Sequence, residues 1–538
     1  MRRLMALVAA LLVAITVVSP AAAHDDGSEF PTRRDPTIET ALSFELPAFE
    51  ALASTFCVDG DAAGYACSNV DLLSFTPLAA MGEGSGNDIW GWTDSLTDRE
   101  YALMGRTSGT SFVDISDPVN PIYLGDLPTA TVNSAWRDVK TSGDHAFIVS
   151  EAAGHGMQVF DLTRLRDVVD PPVTFDADAW YTAFGNAHNI GITDGVPTAI
   201  AVGTNTCAGG LHIIDLSTPT SPTFSACFSD DGYTHDVVCE IYSGPDTAHT
   251  GAEICIASNE DTVAIIDIGD PSNISLLSNT GYRRSGYTHQ AVFTEDQTHI
   301  LVDDELDELN RGVKTTTYVW DVSDLDQPFV VGTSVGSTSA IDHNQYVKGN
   351  HTYQANYRAG LRIFELTDLG AATLTEVGYF DVYQGSDAAA FNGAWSTYPY
   401  FDSGVVIVSG IEQGLYVLQP NLDEGPPPPE GGAHVGDLDA SAVSGLRGRW
   451  TATVTVTVHD EAEAAVEGVT LTGTWGAGWA TTCITGADGS CDLVQSRLRS
   501  TQMSVDFNVT DVSGGYDATA NHDPGGDSDG TTITVFQP

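Results

Sequence analysis

Gly210-Leu211-His212-Ile213-Ile214-Asp215-Leu216-Ser217 is one instance of a pattern that runs through the chain: two apolar β-formers, an acid, then a turn. It recurs as Phe112-Val113-Asp114, Val159-Phe160-Asp161, Ile213-Ile214-Asp215, Ile265-Ile266-Asp267, Val319-Trp320-Asp321 and Ile363-Phe364-Glu365, and as Val417-Leu418-Gln419 with the acid lost. Successive copies lie 47, 54, 52, 54, 44 and 54 residues apart. A period of roughly 40–50 residues, each carrying several short strands, is the signature of a β-propeller.

Around the quoted stretch the repeat divides into four strands, at 189–193, 198–203, 210–217 and 222–228. The turn after the third strand is rich in Asp and Pro, as in Asp114-Ile115-Ser116-Asp117-Pro118, and such residues fix where a blade folds back. First strands fall near Ile89, Val139, Ile190, Val237, Ala291, Gln345 and Ala394, and the last repeat stops after its third strand at Pro420. Residues 70–78 are the natural donor of the missing strand, since ring closure removes exposed sheet edges. The expected fold class is all-β: a seven-bladed β-propeller over 70–420 closed by an N-terminal strand. Residues 24–69 form an N-terminal segment, and 421–437, with four consecutive prolines from Pro426 to Pro429, form a linker. Alternating segments at 450–458, 466–475 and 503–509 predict an immunoglobulin-like β-sandwich over 438–538.

Among 538 residues, 73 acids face 21 bases, for a net charge of −52, and lysine occurs only at 140, 314 and 348. Nucleic acid and anionic membrane surfaces are therefore disfavoured as partners, because phosphate binding needs basic side chains. Residues 1–23, with Arg2-Arg3, an apolar core and Ala21-Ala22-Ala23, are a secretory signal peptide. No later segment is apolar enough to insert in a membrane. Eight cysteines suit an oxidising compartment. Proximity pairs Cys57 with Cys67 and Cys483 with Cys491; adjacent strands pair Cys239 with Cys255; Cys207 and Cys227 remain within one repeat.

The stretch from about Cys57 to Pro420 resembles the choice-of-anchor B family with its LVIVD-type repeats. The resemblance rests on Asn87-Asp88-Ile89-Trp90-Gly91-Trp92, Trp136-Arg137-Asp138, Gly156-Met157-Gln158-Val159-Phe160-Asp161, Asn186-Ala187-His188-Asn189, Gly232-Tyr233-Thr234-His235-Asp236, Gly286-Tyr287-Thr288-His289-Gln290 and residues 354–362. It implies an exported propeller, secreted, extracellular or at the cell surface, and it implies no reaction. The chain departs from anchored members by ending at Pro538 without a sorting signal or membrane helix, so the expectation stays open between a secreted and a cell-surface form.

Stacking the repeats exposes a column just before each first strand: Asn87, Arg137, His188, His235, His289, His343 and Asn392. First strands line a propeller's channel, so these side chains should meet at one mouth. The loops between second and third strands should open there too, bringing Glu151, Glu260, Asp304, Tyr357, Arg358 and Glu412; Asp138 and Asp236 directly follow the column. Three readings stand. The histidines lock neighbouring blades; or His188, His235, His289 and His343 bind iron, zinc or copper, with Arg137, Asp138, Glu151, Asp236, Glu260, Asp304, Tyr357, Arg358 and Glu412 as supporting or ligand-contacting groups; or they work as metal-free acids and bases. The leading expectation is a secreted or cell-surface protein that binds an extracellular ligand or surface component at a histidine-lined mouth. The alternative is an exported metal-dependent enzyme. The run Asp303-Asp304-Glu305-Leu306-Asp307-Glu308 is either a solvated loop or a calcium site. Gly332-Thr333-Ser334-Val335-Gly336 has the nucleophile-elbow spelling but sits in an all-β stretch, where that motif has no strand-to-helix turn to serve.

Overall fold

The computed structural model describes residues 49–422 except 83, and 433–538 except 445–448, 461–462, 467, 477–478, 487–488, 500, 513–519, 523–527 and 529. Residues 1–23, expected from sequence to be a signal peptide, and most of the expected proline-rich linker lie outside the described residues. The chain divides into two units, 1–422 and 423–538.

The first unit is a series of sheets, antiparallel except where Val173–Thr174 adds parallel to Ile122–Pro128, the architecture of a repeat β-propeller. The third shows the plan: Asn189–Ile192, Thr198–Val202, Leu211–Asp215 and Thr223–Phe228 pair in that order, each within two residues of the sequence expectation. The inner strands of successive sheets are Gly86–Asp94, Arg137–Ser142, Asn189–Ile192, Asp236–Ile241, Thr288–Phe293, Gln345–Lys348 and Ala394–Tyr398. Each packs beside the next, and Ala394–Tyr398 packs beside Gly86–Asp94. In the last sheet Ala394–Tyr398, Val406–Gly410 and Gly414–Pro420 are completed by Val70–Pro77, antiparallel to Gly414–Pro420.

The recurring motif has a physical explanation. Its two apolar residues carry a β-bulge against the fourth strand at Phe112/Val113, Ile213/Ile214, Ile265/Ile266, Val319/Trp320 and Ile363/Phe364. The bulge adds local twist, which a sheet needs as it fans from the axis. The acid then accepts the backbone N–H two residues on: Asp114 from Ser116 (3.0 Å), Asp161 from Thr163 (3.0 Å), Asp215 from Ser217 (2.8 Å), Asp267 from Gly269 (3.0 Å) and Asp321 from Ser323 (2.9 Å). These are Asx turns, which a short carboxylate can close. Glu365, one methylene longer, lies mid-strand in Leu361–Asp368, and Asp368 accepts from Ala371 at that strand's end.

Four disulfides pair as expected: Cys57–Cys67, Cys207–Cys227, Cys239–Cys255 and Cys483–Cys491. No helix among the described residues is long and apolar enough to cross a membrane.

In the second unit, His434–Ser444, Arg449–His459 and Ser490–Arg499 form one sheet, and Trp479–Ile484, Thr470–Trp475, Ser504–Val512 and Thr532–Phe536 another. Both contribute to one core, with Val454 and Trp450 from the first and Leu471, Trp475 and Phe507 from the second. The first strand starts at His434, inside the stretch assigned to the linker.

Candidate functional site

The column assembles at the inner-strand starts. His188, His235, His289 and His343 step around the axis with adjacent ring centroids 4.3, 4.4 and 4.3 Å apart. A neighbouring oxygen fixes each of three rings. His235 Nδ1–H donates to His289 O at 3.0 Å and His343 Nδ1–H to Trp395 O at 2.5 Å, each across to the next sheet. A carbonyl accepts only, so in these two rings the proton sits on Nδ1 and Nε2 keeps its lone pair. His188 Nδ1 instead meets Glu151 Oε1 at 2.7 Å. His289 Nδ1 lies 3.3 Å from Asp303 Oδ1.

Protonation follows from these partners. Burial pushes His235 and His343 well below the ordinary imidazole value, and the neighbouring histidines add to it. Burial also lowers His289, against the pull of Glu305. For His188, burial opposes the charged ring but the Glu151 bond outweighs it, and the pKa rises. The row at neutral pH is thus three neutral imidazoles ending in a histidine poised to carry charge beside Glu151.

One ligand atom each from His289, Glu305 and His343 lie within 4.8 Å of one another, and all three residues are buried. Glu305 Oε1 stands 3.7 Å from His343 Nε2 and accepts from Tyr357 Oη–H at 2.7 Å. Burial raises the Glu305 pKa. The four rings are gathered in one row, but the three-residue grouping at metal-ligand spacing takes two of them plus a carboxylate. Two nitrogens and an oxygen suit a first-row transition metal better than calcium.

The other singled-out residues divide. Glu151 and Tyr357 belong to the mouth, and Glu260 acts there electrostatically, raising Tyr233 and Tyr287 after burial has done so. Arg137 is tied into the fold through two of its nitrogens, Nε donating to Arg106 O at 3.1 Å and Nη1 to His155 Nε2 at 2.9 Å, while its buried Nη2 has no partner. Asp138 and Asp236 point deeper and work as staples. Asp138 Oδ2 accepts Ile190 N–H from the next sheet at 2.7 Å, while Oδ1 meets Lys140 Nζ at 2.6 Å; Asp236 Oδ2 accepts from Gln290 Nε2 at 3.2 Å. Asp304 is engaged by the loop that precedes the strand Thr288–Phe293, accepting Gly286 N–H and Tyr287 N–H at 2.7 Å and Tyr282 Oη–H at 2.9 Å. Arg358 Nε donates to Asn392 Oδ1 at 3.0 Å, and Glu412 accepts from Asn392 Nδ2 at 2.6 Å.

The acidic run is not a solvated loop. Asp303, Asp304, Glu305, Asp307 and Glu308 are all buried, because the chain turns inward through the helix Asp307–Arg311 under Tyr318 and Tyr282. Neither carboxylate oxygen of Asp342 has a hydrogen-bond partner, and the side-chain partner of Glu308 is its neighbour Asp307. Burial, then the charge of Asp307, pushes Glu308 up to about 9. Glu305 was passed over as a mouth residue because it sits in this run; its position just after the strand His299–Asp304, where the loop opens to the mouth, was the available signal.

Comparison with known proteins fits the repeat. The LVIVD repeat model matches residues 205–230 and 251–280, spanning the Ile213-Ile214-Asp215 and Ile265-Ile266-Asp267 motifs. No curated protein matches by sequence. Similar solved structures include a functionally unknown protein from Desulfotomaculum acetoxidans (13% identity, 63% of this chain and 93% of that one, TM-score 0.41). The Cps50 (Swd1) β-propeller domain of Myceliophteria thermophila shares 11% identity over 63% of this chain and 96% of that one, with a TM-score of 0.41. A protein from Lactobacillus plantarum shares 13% identity over 76% and 99%, with a TM-score of 0.40.

Proposed function

We propose that this is an exported, seven-bladed β-propeller of the choice-of-anchor B type with an immunoglobulin-like C-terminal sandwich, which binds an extracellular ligand or cell-surface component at its histidine-lined mouth. Supporting the blade count are the seven inner strands that neighbour one another in order and the pairing of Val70–Pro77 with the last sheet. Four disulfides are consistent with export. The observation that carries the binding reading is the row of imidazoles, with His235 and His343 holding Nε2 lone pairs while Nδ1 is anchored across sheets. Anchored rings beside Glu151, Glu305 and Tyr357 are a preorganised surface of acceptors and carboxylates, suited to a ligand that offers donors or positive charge.

The test is binding of labelled protein to intact bacterial cells, compared with a His235→Gln/His289→Gln double variant. Loss of binding with an unchanged circular dichroism spectrum is expected. Equal binding by the variant overturns the mouth as the binding surface.

The spacing of His289, Glu305 and His343 favours a second reading, a metal-dependent site. These three would hold the ion, which would supply Lewis acidity. Under it, elemental analysis of tag-free protein gives iron, zinc or copper that Glu305→Gln lowers by about one equivalent; a metal content that the substitution leaves unchanged excludes it.

A further inference from the structure

The second unit contains a side-chain cluster unrelated to the propeller mouth. His434, His459, Glu463 and His522 each bring one ligand atom within 4.8 Å of all the others. Glu463 Oε2 is the hub, 3.6 Å from His434 Nε2, 3.3 Å from His459 Nδ1 and 3.3 Å from His522 Nε2. Four ligands held tetrahedrally at zinc bond lengths of roughly 2.0–2.1 Å stand about 3.3 Å from one another. The three distances to Glu463 Oε2 match that spacing, and the remaining ligand atoms lie within 4.8 Å of one another.

Two features mark it as built for a ligand. His434 is 3% exposed and its Nε2, aimed into the cluster, has no hydrogen-bond partner. A buried imidazole nitrogen left bare costs free energy, and a metal ion would satisfy it. Glu463 adopts φ +60°, a left-handed conformation uncommon for a glutamate. The turn that holds it there is closed by Glu463 N–H to Asp460 O (3.0 Å) and Ala464 N–H to Asp460 Oδ1 (2.9 Å).

The surrounding chain makes room for the rings. His434 and His459 are opposite partners on adjacent strands, and the register shifts between Val435 and Asp437. Gly436 occupies that bulge; a Cβ there would lie 2.2 Å from His459 Nδ1, so any larger residue would displace the ring. His522 arrives from far along the sequence and is clamped to the same strand: its N–H donates to Val435 O at 3.0 Å, and Asn521 Oδ1 accepts Val435 N–H at 2.9 Å.

The geometry points to a zinc site formed by His434, His459, Glu463 and His522, which ties the first strand of this unit to the end of its second and to the segment near its last. Three imidazoles and one carboxylate are a borderline donor set that favours Zn2+ among the available divalent ions and disfavours calcium, which takes oxygen ligands. Four protein ligands are the pattern of a structural site. Its role is to stabilise the sandwich, with binding energy entering as folding energy.

The experiment titrates ZnCl2 into tag-free, chelator-stripped full-length protein and follows uptake by calorimetry. His522→Ala and Glu463→Gln alter the two most exposed ligands, so both variants should fold, as far-ultraviolet circular dichroism will check. Zinc stoichiometry is expected to fall by one equivalent in His522→Ala, and the affinity of that equivalent to fall by about 10–100-fold or more in Glu463→Gln. Cobalt substitution should give the intense visible bands of tetrahedral N/O coordination in the wild type and lose them in His522→Ala. Zinc uptake and cobalt spectra that both variants leave unchanged overturn the proposal, as does a wild type that takes up no zinc at all. The mouth readings are untouched by either result, because none of these four residues belongs to the propeller.

Discussion

At the residue scale, carboxylates in this strongly acidic chain do three different jobs, which burial and partners separate. Asp215 and its counterparts close surface turns; Asp138 and Asp236 staple sheets beside the axis; Glu308 sits buried against a second acid, Asp307. Glu308 lends itself to a pH experiment. Its native pKa is pushed up to about 9, mainly by burial, so the folded carboxyl stays protonated while the unfolded one ionises near its ordinary 4.5. The folded state then binds more protons than the unfolded, and stability falls as pH rises from about 4.5 towards 9. Gln cannot ionise and matches the shape. Glu308→Gln is therefore expected to stabilise the protein by about 1–3 kcal/mol at pH 8 and to do little at pH 4. Urea denaturation at both pH values measures the gap; a gap that does not widen with pH refutes the assignment. The histidine column was legible from sequence because each member precedes an inner strand at the repeat spacing. Glu305 was hidden because a run of acids in an acidic protein has the composition of a solvated surface, and only the fold shows it turning inward. For Arg137, Arg358 and Glu412, read from sequence as supporting or ligand-contacting groups, the partners Arg106 O and Asn392 could not be read from the chain, because they come from other loops.

At the scale of elements, the strands followed from alternation and turn chemistry, and they match within a residue or two where Asp and Pro punctuate the chain. What alternation could not reveal was the bulge built into the motif, because an inserted residue looks the same in sequence as a paired one. The boundary of the second unit was misjudged for a related reason: His434 and Gly436 look like linker residues until the strand they open is seen paired with Arg449–His459. The disulfides act at this scale as well. Cys239 and Cys255 face each other across the strands Asp236–Ile241 and Glu253–Ser258, with Cα atoms 4.0 Å apart and a sequence separation of 16. Closing a loop of that length restricts the unfolded chain, by about 3 kcal/mol in the chain-entropy account. Cys239→Ala/Cys255→Ala is expected to lower unfolding free energy by about 2–4 kcal/mol while leaving the inner strand, and so His235, in place. The first is read by denaturant titration and the second by the cell-binding assay of the double-histidine comparison. Loss of binding at full secondary structure would mean that the bridge positions the mouth rather than merely supporting the sheet.

For the whole molecule, the seam is the decisive feature. Val70–Pro77 and Gly414–Pro420 pair although well over three hundred residues separate them, so the last sheet is the one whose completion demands the longest loop closure. Its hydrophobic contacts must offset that cost. Phe75 is buried against Tyr416, ring centroids 4.5 Å apart, and Leu72 is fully enclosed with Val406, Val408 and Leu418 in the same core. Every other sheet of the first unit draws its four core strands from one contiguous stretch, so an equal loss of packing there opens a local unit, whereas here it frees a chain end. Phe75→Ala is expected to cost about 3–5 kcal/mol. Its distinguishing effect is spatial: amide exchange should accelerate together in 70–77 and 414–420, while strands remote from the seam, such as Thr198–Val202, keep their protection. Hydrogen exchange read peptide by peptide decides it. Uniform acceleration across all sheets would show that the ring unfolds as one cooperative body with no weak join, and the N-terminal strand would then be an ordinary core strand rather than the clasp of the ring.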